Sequence, residues 1–174
     1  MNLNRKAEAL AKRLHSKQKY GQHPYSKHLE AVAALGEQFG LTPNAIAACW
    51  LHDTIEDCGV NYAYIKQQFN EEIAEMVYCV TDELGRNRKE RKLKTYPKLA
   101  KNEQAIQVKL CDRIANLTQS IEDNHQGLLK VYSGEHQDFK EKLYNNPNEI
   151  TEKLWNKLET LIKLAQNTTK QKKE

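Results

Sequence analysis

Within the ten residues Ala48-Cys49-Trp50-Leu51-His52-Asp53-Thr54-Ile55-Glu56-Asp57, small and apolar side chains give way to an imidazole and three carboxylates. The spacing reads as helical. Residues four apart share a helix face, so His52 pairs with Glu56 and Asp53 with Asp57 in two adjacent rows of ligand-type atoms. Three acids and a histidine at the end of a buried helix repel one another unless a cation or protons compensate, and a bound metal ion compensates most simply.

Helices must position these groups. Leu3, Ala7, Leu10, Ala11 and Leu14 recur at helical spacing and predict a first helix over 3–17, followed by the polar turn Lys19-Tyr20-Gly21-Gln22-His23-Pro24-Tyr25. A second helix over 25–39 carries His28 and stops at Gly40, a C′ residue. Thr42-Pro43, an N-cap followed by proline at N1, opens the helix that ends in the His52-Asp53 stretch. Helices follow over 62–69 and 71–84, the second with Ile73, Ala74, Val77, Val80 and Leu84 on one side and Gly85 closing it. The next stretch reads as loop then helix, with Pro97 near its end. Residues 102–121 are apolar almost all round, which predicts a central helix. It holds Asp112 and Asn116 four apart, and a buried aspartate needs a partner. A helix over 127–144 and a last one to residue 166 complete the chain, with Asn146-Pro147-Asn148-Glu149 read as N-cap, N1 and N3 of the latter. No strand is indicated.

The expected fold class is therefore all-α: a compact single-domain helical bundle over residues 1–166 with a polar tail over 167–174. The 174 residues suit one domain, and 39% hydrophobic with 29% charged residues suits a water-facing helical protein. No uncharged run approaches the roughly 20 residues of a spanning helix, and the N-terminus lacks an apolar signal core, so no membrane partner and a cytoplasmic location are expected. Cys49, Cys58, Cys79 and Cys111 form no CxxC pair and read as reduced thiols. Within a net charge of +4, eight basic residues crowd between Gly85 and Lys101 (Arg86, Arg88, Lys89, Arg91, Lys92, Lys94, Lys98, Lys101) against one acid, Glu90. Such a block attracts an anion, and a nucleotide phosphate and a nucleic-acid backbone both fit it. A nucleic-acid role leaves the acids and histidines unexplained.

Four blocks in order, Gly21-x-x-Pro24-Tyr25-x-x-His28, Leu51 to Asp57, Val80-Thr81-Asp82 and Val108-Lys109-Leu110-Cys111-Asp112-Arg113-x-x-Asn116-Leu117, resemble the HD-domain metal phosphohydrolases. The match is to their RelA/SpoT-type (p)ppGpp hydrolase branch in its small stand-alone form, over Ala7 to Tyr132. The resemblance implies an HD-type bundle and one divalent metal ion, Mn2+, on His28, His52, Asp53 and Asp112. It implies Glu56 and Asp57 as the catalytic residues that orient or deprotonate water. Asn116 falls at the nucleoside end, Arg88 at the far phosphates, and Tyr132 in the nucleotide pocket. Where the family carries an arginine near the guanine, this chain has Lys19-Tyr20, and Tyr20 offers a ring to stack on a base. The implied reaction is removal of the 3′-pyrophosphate of a guanosine alarmone. Phosphatases of other nucleotides, such as a nucleotidase or an NADPH phosphatase, and a non-catalytic nucleotide-binding protein are the alternatives. The resemblance implies nothing about oligomeric state.

Overall fold

Helix α8 (Glu103–Glu122) is the axis of the molecule, because side chains on every side of it are apolar: Val108, Leu110, Cys111 and Leu117 are wholly buried. Asn102 caps its start by accepting a hydrogen bond from the backbone N–H of Ala105. Around this axis the computed structural model, which describes residues 2–170, places α1 (Leu3–Leu14), a hairpin of β1 (Lys19–Tyr20) and β2 (His23–Pro24), α2 (Ser26–Gln38), α3 (Pro43–Leu51) and α4 (Thr54–Asp57). Then come α5 (Tyr62–Gln68), α6 (Glu71–Val80), α7 (Arg88–Leu99), α9 (Gln126–Leu143) and α10 (Glu149–Lys170). Helices α2, α3, α6, α7, α9 and α10 all pack on α8, and α1 reaches the core through α3. One continuous core results, with Trp155, Phe139, Leu29 and Leu51 among its largest buried side chains.

Several expectations hold. Thr42 caps α3 with Pro43 in the first turn, and Gly40 ends α2 at φ 73°, the left-handed conformation that glycine adopts freely. All four cysteines are free thiols. Among the described residues no helix is long and apolar enough to cross a membrane.

Others are corrected. Strands were not expected, yet Lys19–Tyr20 and His23–Pro24 pair antiparallel, because Gly21 at φ 58° lets the chain reverse within two residues. The helix over 71–84 stops at Val80: Thr81 turns to extended backbone (φ −65°, ψ 130°) and its hydroxyl bonds back to the Val77 carbonyl. Leu84 is consequently 90% exposed and not part of the core. The last helix is capped by Asn148, whose side chain accepts from Thr151 N, while Asn146 sits at φ 49° and caps nothing. That helix runs on to Lys170, past the expected end at 166; residues 171–174 of the expected tail lie outside the described residues. Helix α1 ends at Leu14 and not at residue 17.

Two leucines separate these readings experimentally. Leu110→Ala is expected to cost about 2–5 kcal/mol of unfolding free energy in a urea titration, the range for truncating a fully buried leucine, whereas Leu84→Ala is expected to stay within about 0.5 kcal/mol of the parent.

Candidate metal and phosphate site

Adjacent side chains on an unbroken helix diverge by about 100°, so His52 and Asp53 could not both face one point if the helix ran through them. It does not. Helix α3 ends at Leu51, Asp53 takes the bridge conformation (φ −99°, ψ 1°), and α4 starts afresh at Thr54, whose buried hydroxyl bonds the Leu51 carbonyl at 2.7 Å. The expected face-sharing of His52 with Glu56 along one helix is therefore replaced by a break that folds His52 and Asp53 together, Nε2 to Oδ2 2.8 Å.

His28 from α2 and Asp112 from α8 complete the cluster. The Nε2 atoms of His28 and His52 lie 3.2 Å apart, and Asp112 Oδ1 lies 3.3 Å from the first and 3.7 Å from the second. His28, His52 and Asp53 offer ligand atoms within 4.8 Å of one another. Neighbouring ligands on a cation with bonds of about 2.1 Å stand roughly 3 Å apart, so this donor set fits a metal ion. The outer partners fit as well. His52 Nδ1–H donates to the Cys49 carbonyl at 2.8 Å, which directs the Nε2 lone pair at the cluster. Tyr25 O–H donates to Asp53 Oδ2 at 2.5 Å, Asn116 Nδ2 to Asp112 Oδ1 at 2.6 Å, and Lys109 Nζ to Asp112 Oδ2 at 2.9 Å.

Left to protons alone, the cluster shifts its own ionisation. Burial opposes charge on His52, but Asp53, Asp112 and the Cys49 carbonyl outweigh it and push the imidazole up to about 9. Burial likewise opposes charge on Asp53 and Asp112, yet His52 beside the first and Lys109 beside the second hold both well below the usual carboxylate range.

His28, Asp53 and Asp112 of the cluster line an open pocket. Its rim and wall carry Glu56, Asp82, Arg88, Arg91, Lys92, Arg113, Asn116 and Tyr132. Glu56 is fixed by accepting from the Asp82 backbone N–H at 3.1 Å. Tyr20 stacks on His28 with ring centroids 4.9 Å apart and donates to Asn116 Oδ1 at 2.9 Å, so the hairpin leans over the cluster. Tyr132 lies beneath the guanidinium groups of Arg88 and Arg113, 5.9 and 5.2 Å from its ring centroid.

Two residues singled out from the sequence are elsewhere. Asp57 is exposed, held by Gln18 Nε2 at 2.8 Å, and does not line the pocket. Lys19 is exposed on β1, away from the pocket lining. Six residues that do shape the site were missed as site residues: Tyr25, Asp82, Arg91, Lys92, Lys109 and Arg113. The sequence signal for them was modest, their presence inside the matched blocks and the basic run. Neither reveals that Lys92 grips both oxygens of Asp82 at 2.9 and 2.8 Å.

Comparison with known proteins places this geometry. The family model described as HD domain matches residues 7–134. A guanosine-3′,5′-bis(diphosphate) 3′-pyrophosphohydrolase of Aquifex aeolicus (strain VF5) is 35% identical over 118 residues, 64% of this chain and 17% of the relative. A probable enzyme of the same name from Synechocystis sp. is 34% identical over 113 residues, 60% of this chain and 15% of the relative. The chain thus spans about a sixth of the length of these curated relatives. Among solved structures, one described as a metazoan ortholog of SpoT that hydrolyzes ppGpp superposes with a TM-score of 0.76 at 20% identity, over 94% of this chain and 96% of the other, which shows the shared fold.

The ionisation has a direct test. A cation and a proton compete for His52 Nε2, and Asp53 and Asp112 are already ionised, so binding expels about one proton below pH 9. Mn2+ affinity, read by electron paramagnetic resonance, is expected to rise by up to about tenfold per pH unit from neutral pH and to level off near pH 9.

Proposed function

The chain belongs to the HD domain family, and from that premise we propose that it is a metal-dependent nucleotide phosphohydrolase that cuts guanosine 3′,5′-bis(diphosphate) at its 3′-pyrophosphate. The observation that carries this reading is that one pocket joins a metal-type donor cluster to a wall of basic side chains. A polyphosphate ester needs both: charge along the phosphate chain and activation at the phosphorus under attack. The activity for which these relatives are named points to the guanosine substrate.

His28, His52, Asp53 and Asp112 hold one divalent cation, Mn2+ in this reading, whose chemistry when bound is to draw charge from a phosphoryl oxygen and to acidify water. Glu56, exposed at the rim and anchored on Asp82 N, takes the proton of the attacking water. Water oxygen bonds to the phosphorus on the 3′ oxygen, that P–O bond breaks, and the 3′ oxygen leaves as a hydroxyl with the proton that Glu56 returns, giving GDP and pyrophosphate. Asp57, tied to Gln18, fixes the turn that presents Glu56. The nucleoside end lies by Tyr20, Asn116 and Tyr132, where Tyr20 supplies an aromatic face to the base.

Mn2+-loaded protein incubated with guanosine 3′,5′-bis(diphosphate) is expected to release GDP and pyrophosphate, and His52→Ala to release neither. Equal release by His52→Ala refutes the site; no release by the parent with Mn2+ bound refutes the substrate, and NADPH, the adenine analogue and deoxynucleotides are then assayed in its place. Glu56→Gln is expected to keep Mn2+ affinity and lose about 10²–10⁴-fold in kcat. An unchanged kcat would return Glu56 to an ordinary solvated helix end.

A further inference from the structure

The basic wall of the pocket is charge-compensated almost everywhere. Arg88 commits Nε and Nη2 to Glu135 at 2.6 and 3.1 Å. Arg113 Nη1 reaches the same carboxylate at 3.5 Å, Lys92 is held by Asp82, and Lys109 by Asp112. Arg91 differs. It lines the same pocket, yet among the described residues its guanidinium makes neither an ion pair nor a hydrogen bond; its Nε is buried without an acceptor, as is that of Arg113, whose Nη1 and Nη2 nonetheless reach Glu135 and the Tyr132 carbonyl. A buried donor left unpaired is costly, which marks it as waiting for an acceptor that the chain does not supply.

The position is also built. A Cβ on Gly85 would lie 2.9 Å from the backbone nitrogen of Arg91 and 3.0 Å from its Cγ, so the loop before α7 can close on the Arg91 stem only because residue 85 has no side chain. Gly85 is not among the positive-φ glycines; the requirement there is for room and not for unusual backbone. The Thr95 hydroxyl ties the same turn to the loop, donating to the Arg91 carbonyl at 2.8 Å and accepting from Glu83 N at 2.9 Å.

We infer that Arg91, pressed into the pocket by the Gly85 contact, is the residue that grips a phosphate of the ligand, and that Arg88 is held by Glu135 at the edge. A terminal phosphate offers the paired oxygens that a guanidinium fork satisfies two at a time. The assignment rests on the phosphohydrolase reading for the identity of the pocket, but its test needs no turnover.

Binding of inorganic pyrophosphate to Mn2+-saturated protein is measured by calorimetry. Arg91→Gln is expected to weaken it by roughly 10- to 100-fold, the span of a charge-assisted hydrogen bond, and Arg91→Lys, which keeps charge without the fork, to recover part of that loss. Gly85→Ala is expected to weaken pyrophosphate binding with Mn2+ affinity unchanged, and Arg88→Gln to cost less than Arg91→Gln. The assignment is overturned if the parent does not bind pyrophosphate, if Arg91→Gln binds within about twofold of the parent, or if Arg88→Gln loses more. Absent nucleotide turnover with Arg91-dependent pyrophosphate binding intact would sink the hydrolase reading and leave this assignment standing.

Discussion

Two neighbouring side chains must reach one point in space, and a regular helix forbids it. The interruption at His52-Asp53 resolves this conflict, and much of the structure serves to hold it in place. Leu51 is buried on one side of the break, Thr54 is buried on the other, and the Thr54 hydroxyl bridges the two by bonding the Leu51 carbonyl. The Cys49 carbonyl, freed near the end of α3, becomes the acceptor that orients His52. A local defect in hydrogen bonding thus supplies both the convergence of the ligands and the tautomer of one of them.

The second organising constraint is electrostatic. Five acids and five bases line or back the same pocket, and pairing is what makes the burial of Asp112 and Arg113 tolerable. Burial pushes Lys92 down, and Lys109 nearby pushes it further, but Asp82 limits the fall, to about 8. Lys109 itself stays cationic in spite of burial because Asp112, Asp53 and Asp82 surround it. Glu135 is shared by Arg88 and Arg113, and its carboxyl is held below the usual range by Arg88 first and Arg113 after it, against the opposing effect of burial. The wall therefore presents a patterned surface of paired charges and not a uniform positive field, and a ligand anion must find the exceptions.

Much of this was legible in the residues themselves. The apolar girth of α8, the Thr42-Pro43 start of α3 and the Gly40 stop of α2 are local signals, and local signals survive into the fold. His28, His52, Asp53 and Asp112 were legible through block order. What could not be read were partnerships between distant residues: Tyr25 with Asp53, Glu135 with Arg88, Gln18 with Asp57. These depend on angles between helices that periodicity does not encode. The expectation of a continuous helix through Glu56 failed for a related reason, since propensity favours continuation and only the tertiary need for convergence breaks it. Leu84 misled because its spacing suited the α6 face while Thr81 had already turned the chain away.

The donor cluster draws on α2, the junction after α3, and α8, segments far apart in the chain. Bringing residue 28 to residue 112 closes a long loop, an entropic cost met only when α8 is docked with its neighbours. The four donors consequently form a unit only where α2, the junction after α3 and α8 are docked together. A cation that binds only the assembled set stabilises the native state by mass action. Its capture then reports on the docking of α2, the α3 junction and α8, which helix content alone does not register.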